Sequence, residues 1–131
     1  IEKKTNMKIF EIFEKKGESE FRKLEKKITL SLLKKNNCVI SLGGGAFINE
    51  VIRNVAQKKG MTIWLNWKSS TIIDRIKKNN RRPIAANLSS NELRNLLTDR
   101  SKIYSKAKYK INCENIEKIE LVNKIIEALR L

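Results

Sequence analysis

Apolar residues recur along this chain at two different periods, and the switching between them outlines an architecture. Ile9, Ile12 and Phe13 fall at helical spacing within Met7–Lys15, and Gly17 breaks that segment. Phe21, Leu24, Ile28 and Leu32 then repeat every three or four residues over Glu18–Lys35, predicting a longer amphipathic helix that ends at Asn36-Asn37. The short apolar run Cys38–Ser41 reads as a buried strand. Helical period returns over Ile48–Lys59 through Ile48, Val51, Ile52, Val55 and Ala56, with Gly60 as a C-cap. Met61–Leu65 is a second strand, rich in β-formers. Ser69-Ser70-Thr71 offers an N-cap to a short helix carrying Ile72, Ile73 and Ile76. The segment Lys77–Ser90 is polar and aperiodic, and long enough to be a lid. Ser90 or Asn91 then caps a helix over Glu92–Ala107, Tyr109–Cys113 is a third strand, and Ile116–Leu131 is an amphipathic helix through Ile119, Val122, Ile126 and Leu129. Strands alternating with helices predict an α/β fold with a parallel sheet and flanking helices.

Between the first strand and its helix lie Gly43-Gly44-Gly45, three of the chain's five glycines. Consecutive glycines admit unusual backbone conformations and let a ligand reach bare N–H groups. A strand, a glycine turn and a helix also place the loop at the carboxyl end of a sheet strand, where α/β proteins bind ligands. A tight turn without a ligand is the plainer alternative; three glycines in succession favour the ligand loop.

Composition narrows the class. With 131 residues, 40% hydrophobic and 33% charged, the chain reads as one soluble domain over 1–131. No apolar stretch approaches a membrane span, and no secretory leader opens the chain. Two cysteines and no histidine exclude a disulfide framework and a histidine metal site; both cysteines read as buried thiols in a reducing cytoplasm. The net charge of +15 raises a nucleic-acid partner. Lys, Asn and Ile, all with AT-rich codons, supply roughly 40% of the chain, far above ordinary usage, and the lysines form no single stripe. Codon bias is the simpler cause, and a modest attraction for small anions remains.

Three arginines carry the candidate chemistry. Arg100 falls on the apolar stripe Leu93, Leu96, Leu97, Tyr104 and Ala107, so its guanidinium needs a carboxylate partner or an anionic ligand. An internal ion pair is the alternative; the adjacent Asp99 points elsewhere on the helix. Arg22 and Glu25 are three apart on one helix face, an arrangement that is usually a weak surface pair. Arg82, before the single proline Pro83, is either a solvated loop residue or a clamp for a transferred phosphoryl group. No G-x-x-x-x-G-K-[ST] loop occurs, and there is no histidine base, no nucleophile elbow and no pair of carboxylates at a plausible site.

Taken together, Ile1-Glu2, Ile9–Phe13, Gly17-Glu18-Ser19-Glu20-Phe21-Arg22-Lys23-Leu24-Glu25, Val39–Gly45, Arg82-Pro83 and Arg100–Tyr104 with Ala107 closely resemble shikimate kinase in order and spacing. The resemblance implies a P-loop kinase-like parallel sheet with flanking helices, lacking the family's first two strands and first helix. It implies ATP-dependent phosphorylation of the 3-hydroxyl of shikimate, in aromatic amino-acid biosynthesis, by a cytoplasmic monomer that binds no nucleic acid or membrane. By the same resemblance Arg22 and Arg100 grip the shikimate carboxylate, and the amides of Gly43, Gly44 and Gly45 face its hydroxyls. Glu25 orients Arg22, while Phe13 and Phe21 wall the pocket. Substrate-binding helices then span about 7–35 and a lid about 77–90. Arg82 reaches the phosphates, and Arg75 lies against adenine, with 115–117 on its other side. The family's phosphate-binding loop, its Mg²⁺-holding hydroxyl and its paired aspartates would precede Ile1, so the chain alone is expected to lack most ATP and Mg²⁺ ligands and to be inactive. A non-catalytic shikimate-binding module is the alternative.

Overall fold

The structure, a computed structural model, describes residues 1–78 and 88–130. They form two compact units, Ile1–Lys59 and Gly60–Leu131.

The first unit is helical. A four-residue helix α1 (Glu2–Thr5) precedes α2 (Ile9–Leu32), and the Glu2 carboxylate accepts the Ile9 N–H at 3.0 Å. At the start of α2, the Glu11 carboxylate accepts the Lys8 N–H at 2.6 Å. The break expected at Gly17 is a kink within α2, where Gly17 adopts φ 78°, ψ 171°. That left-handed φ is open to glycine at little cost. Phe13 and Phe21 show what the kink accomplishes. Eight residues of straight helix rise about 12 Å, yet these two rings have centroids 4.6 Å apart. The bend folds the residues before Gly17 back toward those after it.

The buried line of α2 differs from the predicted stripe. Phe21, Glu25 and Thr29 are buried, whereas Leu24 and Ile28 are half-buried and Leu32 is exposed. The helix is therefore turned so that a carboxylate, not a leucine, faces inward, toward the glycine turn.

The expected strand Cys38–Ser41 does not form: residues 38–42 belong to no strand, Val39 is fully exposed, and the Cys38 thiol is exposed rather than buried. A strand exists only as one side of a hydrogen-bonded ladder, and this segment makes no backbone hydrogen bond to another described segment. The chain then passes through the glycines into a 3₁₀ turn (Ala46–Ile48) and α3 (Glu50–Lys59). Asn49 caps α3, its side-chain oxygen accepting the N–H groups of Val51 and Ile52 at 3.1 and 3.2 Å. Ile12, Ala46, Phe47, Ile52 and Ala56 are the buried apolar residues here, together with Phe21.

The second unit is α/β. Strand β1 (Ile63–Asn66) pairs in parallel with β2 (Tyr109–Asn112), in the register Ile63↔Tyr109 to Asn66↔Asn112. A parallel pair needs a crossover, which contains α4 (Ser69–Lys77) and α5 (Ser90–Tyr104). Their packed faces make the core: Ile73, Ile76 and Leu93, with Ile72, Leu88 and Leu97 against them. The cap of α5 is Ser89, one residue before the expected pair; its hydroxyl accepts the Glu92 N–H and Glu92 accepts the Ser89 N–H. Hydrogen bonding from the Ser89 hydroxyl first, and from its backbone N–H, holds the Glu92 carboxyl below its usual value. At α4 the expected serine cap is absent, because Ser69 already lies inside the helix and Lys68 precedes it. The last helix, α6 (Lys118–Leu129), has the predicted apolar stripe, but Ile119, Val122 and Ile126 are exposed among the described residues. No helix of the described residues is long and apolar enough to cross a membrane.

Candidate functional site

In the first unit, helix α2 and the glycine turn bring six of the sequence-predicted residues together: Arg22, Glu25, Phe13, Phe21, Gly43 and Gly45. Arg22 Nη1 donates to Glu25 Oε2 at 2.6 Å, a charge-assisted bond to a carboxylate that is itself buried. On its other edge, Nε and Nη2 both donate to one oxygen of Glu18 at 3.3 Å. The Arg22 guanidinium carbon lies 5.3 Å from the centre of the Phe21 ring, which in turn packs on Phe13. The cation is thus held from three sides, yet a third of its side chain remains exposed.

The glycine turn closes on this cation. A methyl group at Gly45 would lie 2.7 Å from the Arg22 guanidinium carbon, so only a hydrogen fits there. At Gly43 the same group would meet Glu25 Oε1 at 3.4 Å, an ordinary contact. None of Gly43, Gly44 and Gly45 has a left-handed φ. At Gly45, the side-chain-free position serves close approach to Arg22 and not backbone freedom.

An arginine with two N–H groups along one edge presents the geometry that a carboxylate fills in bidentate fashion. Glu18, exposed and at the long end of hydrogen-bonding distance, occupies that edge and is the group an incoming carboxylate would displace. Glu25, buried and at 2.6 Å, holds the opposite side.

The predicted arginines other than Arg22 belong to the second unit. Arg100, on α5, is half-buried and makes no ion pair among the described residues; Asp99 pairs with Lys102 at 2.8 Å instead. Arg75, on α4, lies with its guanidinium carbon 3.8 Å from the centre of the Trp67 ring, a close cation–π stack. Trp67 follows the end of β1, and Glu114, two residues beyond β2, braces the same corner. Its carboxylate accepts the Lys68 N–H at 2.7 Å and the Thr71 hydroxyl at 3.3 Å. The Lys68 N–H bond leads in holding the Glu114 carboxyl below the usual glutamate value, with Thr71 and the charges of Lys68 and Arg75 assisting against partial burial. Asn115, beside it, takes a left-handed φ of 56°. Arg82 and most of the expected lid lie outside the described residues.

Sequence reasoning missed Glu18, Arg53, Trp67 and Glu114. Glu18 was within reach, since it stands four residues before Arg22 on the same face. Arg53, buried in α3, hydrogen-bonds the turn after the glycines, and nothing in its local pattern signals this. The contacts of Glu114 span more than forty residues. Among the described residues no three of Cys, Asp or Glu gather where they could hold a metal ion.

The chain matches the family model described as shikimate kinase over residues 1–130. It is 38% identical to the shikimate kinase of Bartonella quintana (strain Toulouse) over 131 residues, covering 99% of this chain and 62% of that protein. The chain therefore spans about three fifths of the length of this relative. Among solved structures, a shikimate kinase from Acinetobacter baumannii in complex with shikimate superposes with a TM-score of 0.91 at 28% identity, over 98% of this chain and 73% of that one. The shikimate kinase of Aquifex aeolicus gives 0.86 at 36% identity, over 98% and 76%. The fold is that of these proteins, an α/β P-loop kinase fold.

Proposed function

The chain belongs to the shikimate kinase family, and from that membership we propose that it carries the acceptor side of a site that transfers the γ-phosphoryl group of ATP to the 3-hydroxyl of shikimate. The observation that carries this reading is the Arg22 guanidinium, clamped by Glu25 and seated against Gly45 with one edge held only by the exposed Glu18. Arg22 binds the acceptor's carboxylate along that edge as Glu18 yields it. Glu25 keeps the guanidinium plane fixed, so little rotational freedom is lost on binding. Phe13 and Phe21 form an apolar wall beside the cation, and the amides of Gly43, Gly44 and Gly45 offer donors to hydroxyl groups. Arg100 is a second carboxylate contact, supported by its half-buried position without an ion pair among the described residues. Arg75, held over the Trp67 ring, stacks on the adenine of the donor, and Arg82 meets the transferred phosphoryl group, where a cation offsets charge in the transition state.

ATP is the donor substrate in this reading. Mg²⁺, when bound, would screen the phosphate charge, and in this reading no residue of this chain is assigned to hold it. The working protein is a cytoplasmic monomer with no nucleic-acid or membrane partner, consistent with two unpaired cysteines and with lysines scattered over every helix.

Calorimetry tests the assignment. The 131-residue chain is expected to bind shikimate and not ATP, and to show no turnover. The full-length gene product is expected to consume ATP only when shikimate is present. Turnover by the 131-residue chain would overturn the division into acceptor and donor sides. A full-length product that binds shikimate without turnover would favour the alternative, a non-catalytic binding module, and one that does not bind shikimate would overturn the reading altogether.

A further inference from the structure

Arg53 is a buried cation with no carboxylate within 4.0 Å among the described residues. It lies on α3, is 7% exposed, and gives its Nη1 to two backbone carbonyls, Ile48 at 3.0 Å and Phe47 at 3.3 Å. Burying a guanidinium without a counterion is costly, and chains keep one where its hydrogen bonds accomplish something specific. Here the two acceptors are the last carbonyls of the 3₁₀ turn, the end at which unsatisfied oxygens gather negative potential.

That turn is continuous with the glycines. The Ala46 N–H bonds the Gly43 carbonyl at 3.0 Å, the Ile48 N–H bonds the Gly45 carbonyl at 3.2 Å, and the Asn49 N–H bonds the Ala46 carbonyl at 3.2 Å. Arg53 grips the far end of this short ladder from a helix that Asn49 caps. At the near end Gly45 touches the Arg22 guanidinium so closely that a methyl group cannot intervene. A shift of the turn by a few tenths of an ångström is therefore felt at Arg22.

We propose that Arg53 is a positioning residue for acceptor binding, whose buried guanidinium holds the Ala46–Ile48 turn and, through it, the seat that Gly45 provides for Arg22. The inference rests on Arg22 being the carboxylate contact proposed above. Arg53 itself touches no substrate. Its influence is confined to the acceptor side, because all of its described partners lie in the turn that follows the glycines.

The test uses the full-length gene product carrying Arg53→Met, Arg53→Lys, Gly45→Ala and the double variant Arg53→Met/Gly45→Ala. KM for shikimate, KM for ATP and melting temperature are measured for each. Arg53→Met is expected to raise the shikimate KM about tenfold, the scale of one charge-assisted hydrogen bond, while the ATP KM stays within about twofold. Arg53→Lys, which keeps the charge and a donor group, is expected to recover most of that loss. In the Gly45→Ala background, where the seat is already lost, Arg53→Met is expected to cost less than about threefold. Equal rises in both KM values, or full additivity in the double variant, would reduce Arg53 to a purely structural residue and overturn the proposal. If Arg53→Met does not fold, the split between the two KM values in Arg53→Gln decides the matter in the same way. A wild-type protein that shows no shikimate binding would refute the functional reading itself. A wild type that binds shikimate, with Arg53 variants binding it equally well, would refute this inference alone.

Discussion

Replacing Gly45 with alanine separates close approach from backbone freedom. Gly45 has φ −90° and ψ −23°, a conformation open to any residue, so alanine meets no backbone penalty there. The new methyl group would instead stand 2.7 Å from the Arg22 guanidinium carbon and 2.8 Å from Nη2. Carbon contacts settle near 3.5–4.0 Å, so the guanidinium must retreat by roughly 1 Å. That retreat carries the 2.6 Å bond to Glu25 past hydrogen-bonding length. A charge-assisted bond of this kind contributes about 1.5–3 kcal/mol, and the third of Arg22 that faces solvent argues for the lower figure. About 1.5 kcal/mol corresponds to roughly a tenfold weaker affinity for shikimate. The moving group is the end of a flexible side chain, so the fold itself should lose little. Gly43→Ala is the comparison: its methyl group would sit at an ordinary 3.4 Å from Glu25 and leave the Arg22–Glu25 pair intact, so it should cost less affinity than Gly45→Ala. Calorimetric titration of the full-length gene product with shikimate, alongside thermal melts, reads both quantities. If the two alanine variants bind equally well, or if Gly45→Ala lowers the melting temperature and leaves affinity intact, the account of the Arg22 seat is wrong.

Leu93, 1% exposed between α4 and α5, should cost about 2–5 kcal/mol when cut to alanine, visible as an earlier midpoint in urea denaturation. Cys38 is exposed whereas Cys113 is fully buried, with burial pushing its thiol up; a disulfide reagent near neutral pH should label one thiol quickly and the second only after denaturation. Glu114 is held below the usual glutamate value when folded, so its contribution is present above the unfolded value, about 4.3, and is lost as pH falls through the folded one. Glu114→Gln should accordingly weaken the acid-side decline of melting temperature and have its largest effect at neutral pH.

Helical periodicity was legible along the chain because the 3.6-residue repeat is a local property. It placed α2 through α6 to within a few residues, and the glycine punctuation at Gly17 and Gly60 marked a kink and a helix end. The motif residues Arg22, Glu25 and Gly45 were legible too, because their types and order are specific. Tertiary contacts decided the rest. Cys38–Ser41 has the apolar character of a strand, but no described segment pairs with it, and β-formers alone do not make a ladder. Whether α2 turns Leu24 or Glu25 inward depends on what Glu25 meets, and it meets Arg22 beside the glycine turn. The stack of Arg75 on Trp67, the bracing by Glu114 and the grip of Arg53 on the turn join residues that share no local pattern. Sequence by itself determined which groups are available and the periods at which they repeat. Only the folded chain decided which of them face one another, because burial and hydrogen bonding depend on neighbours that are distant in sequence.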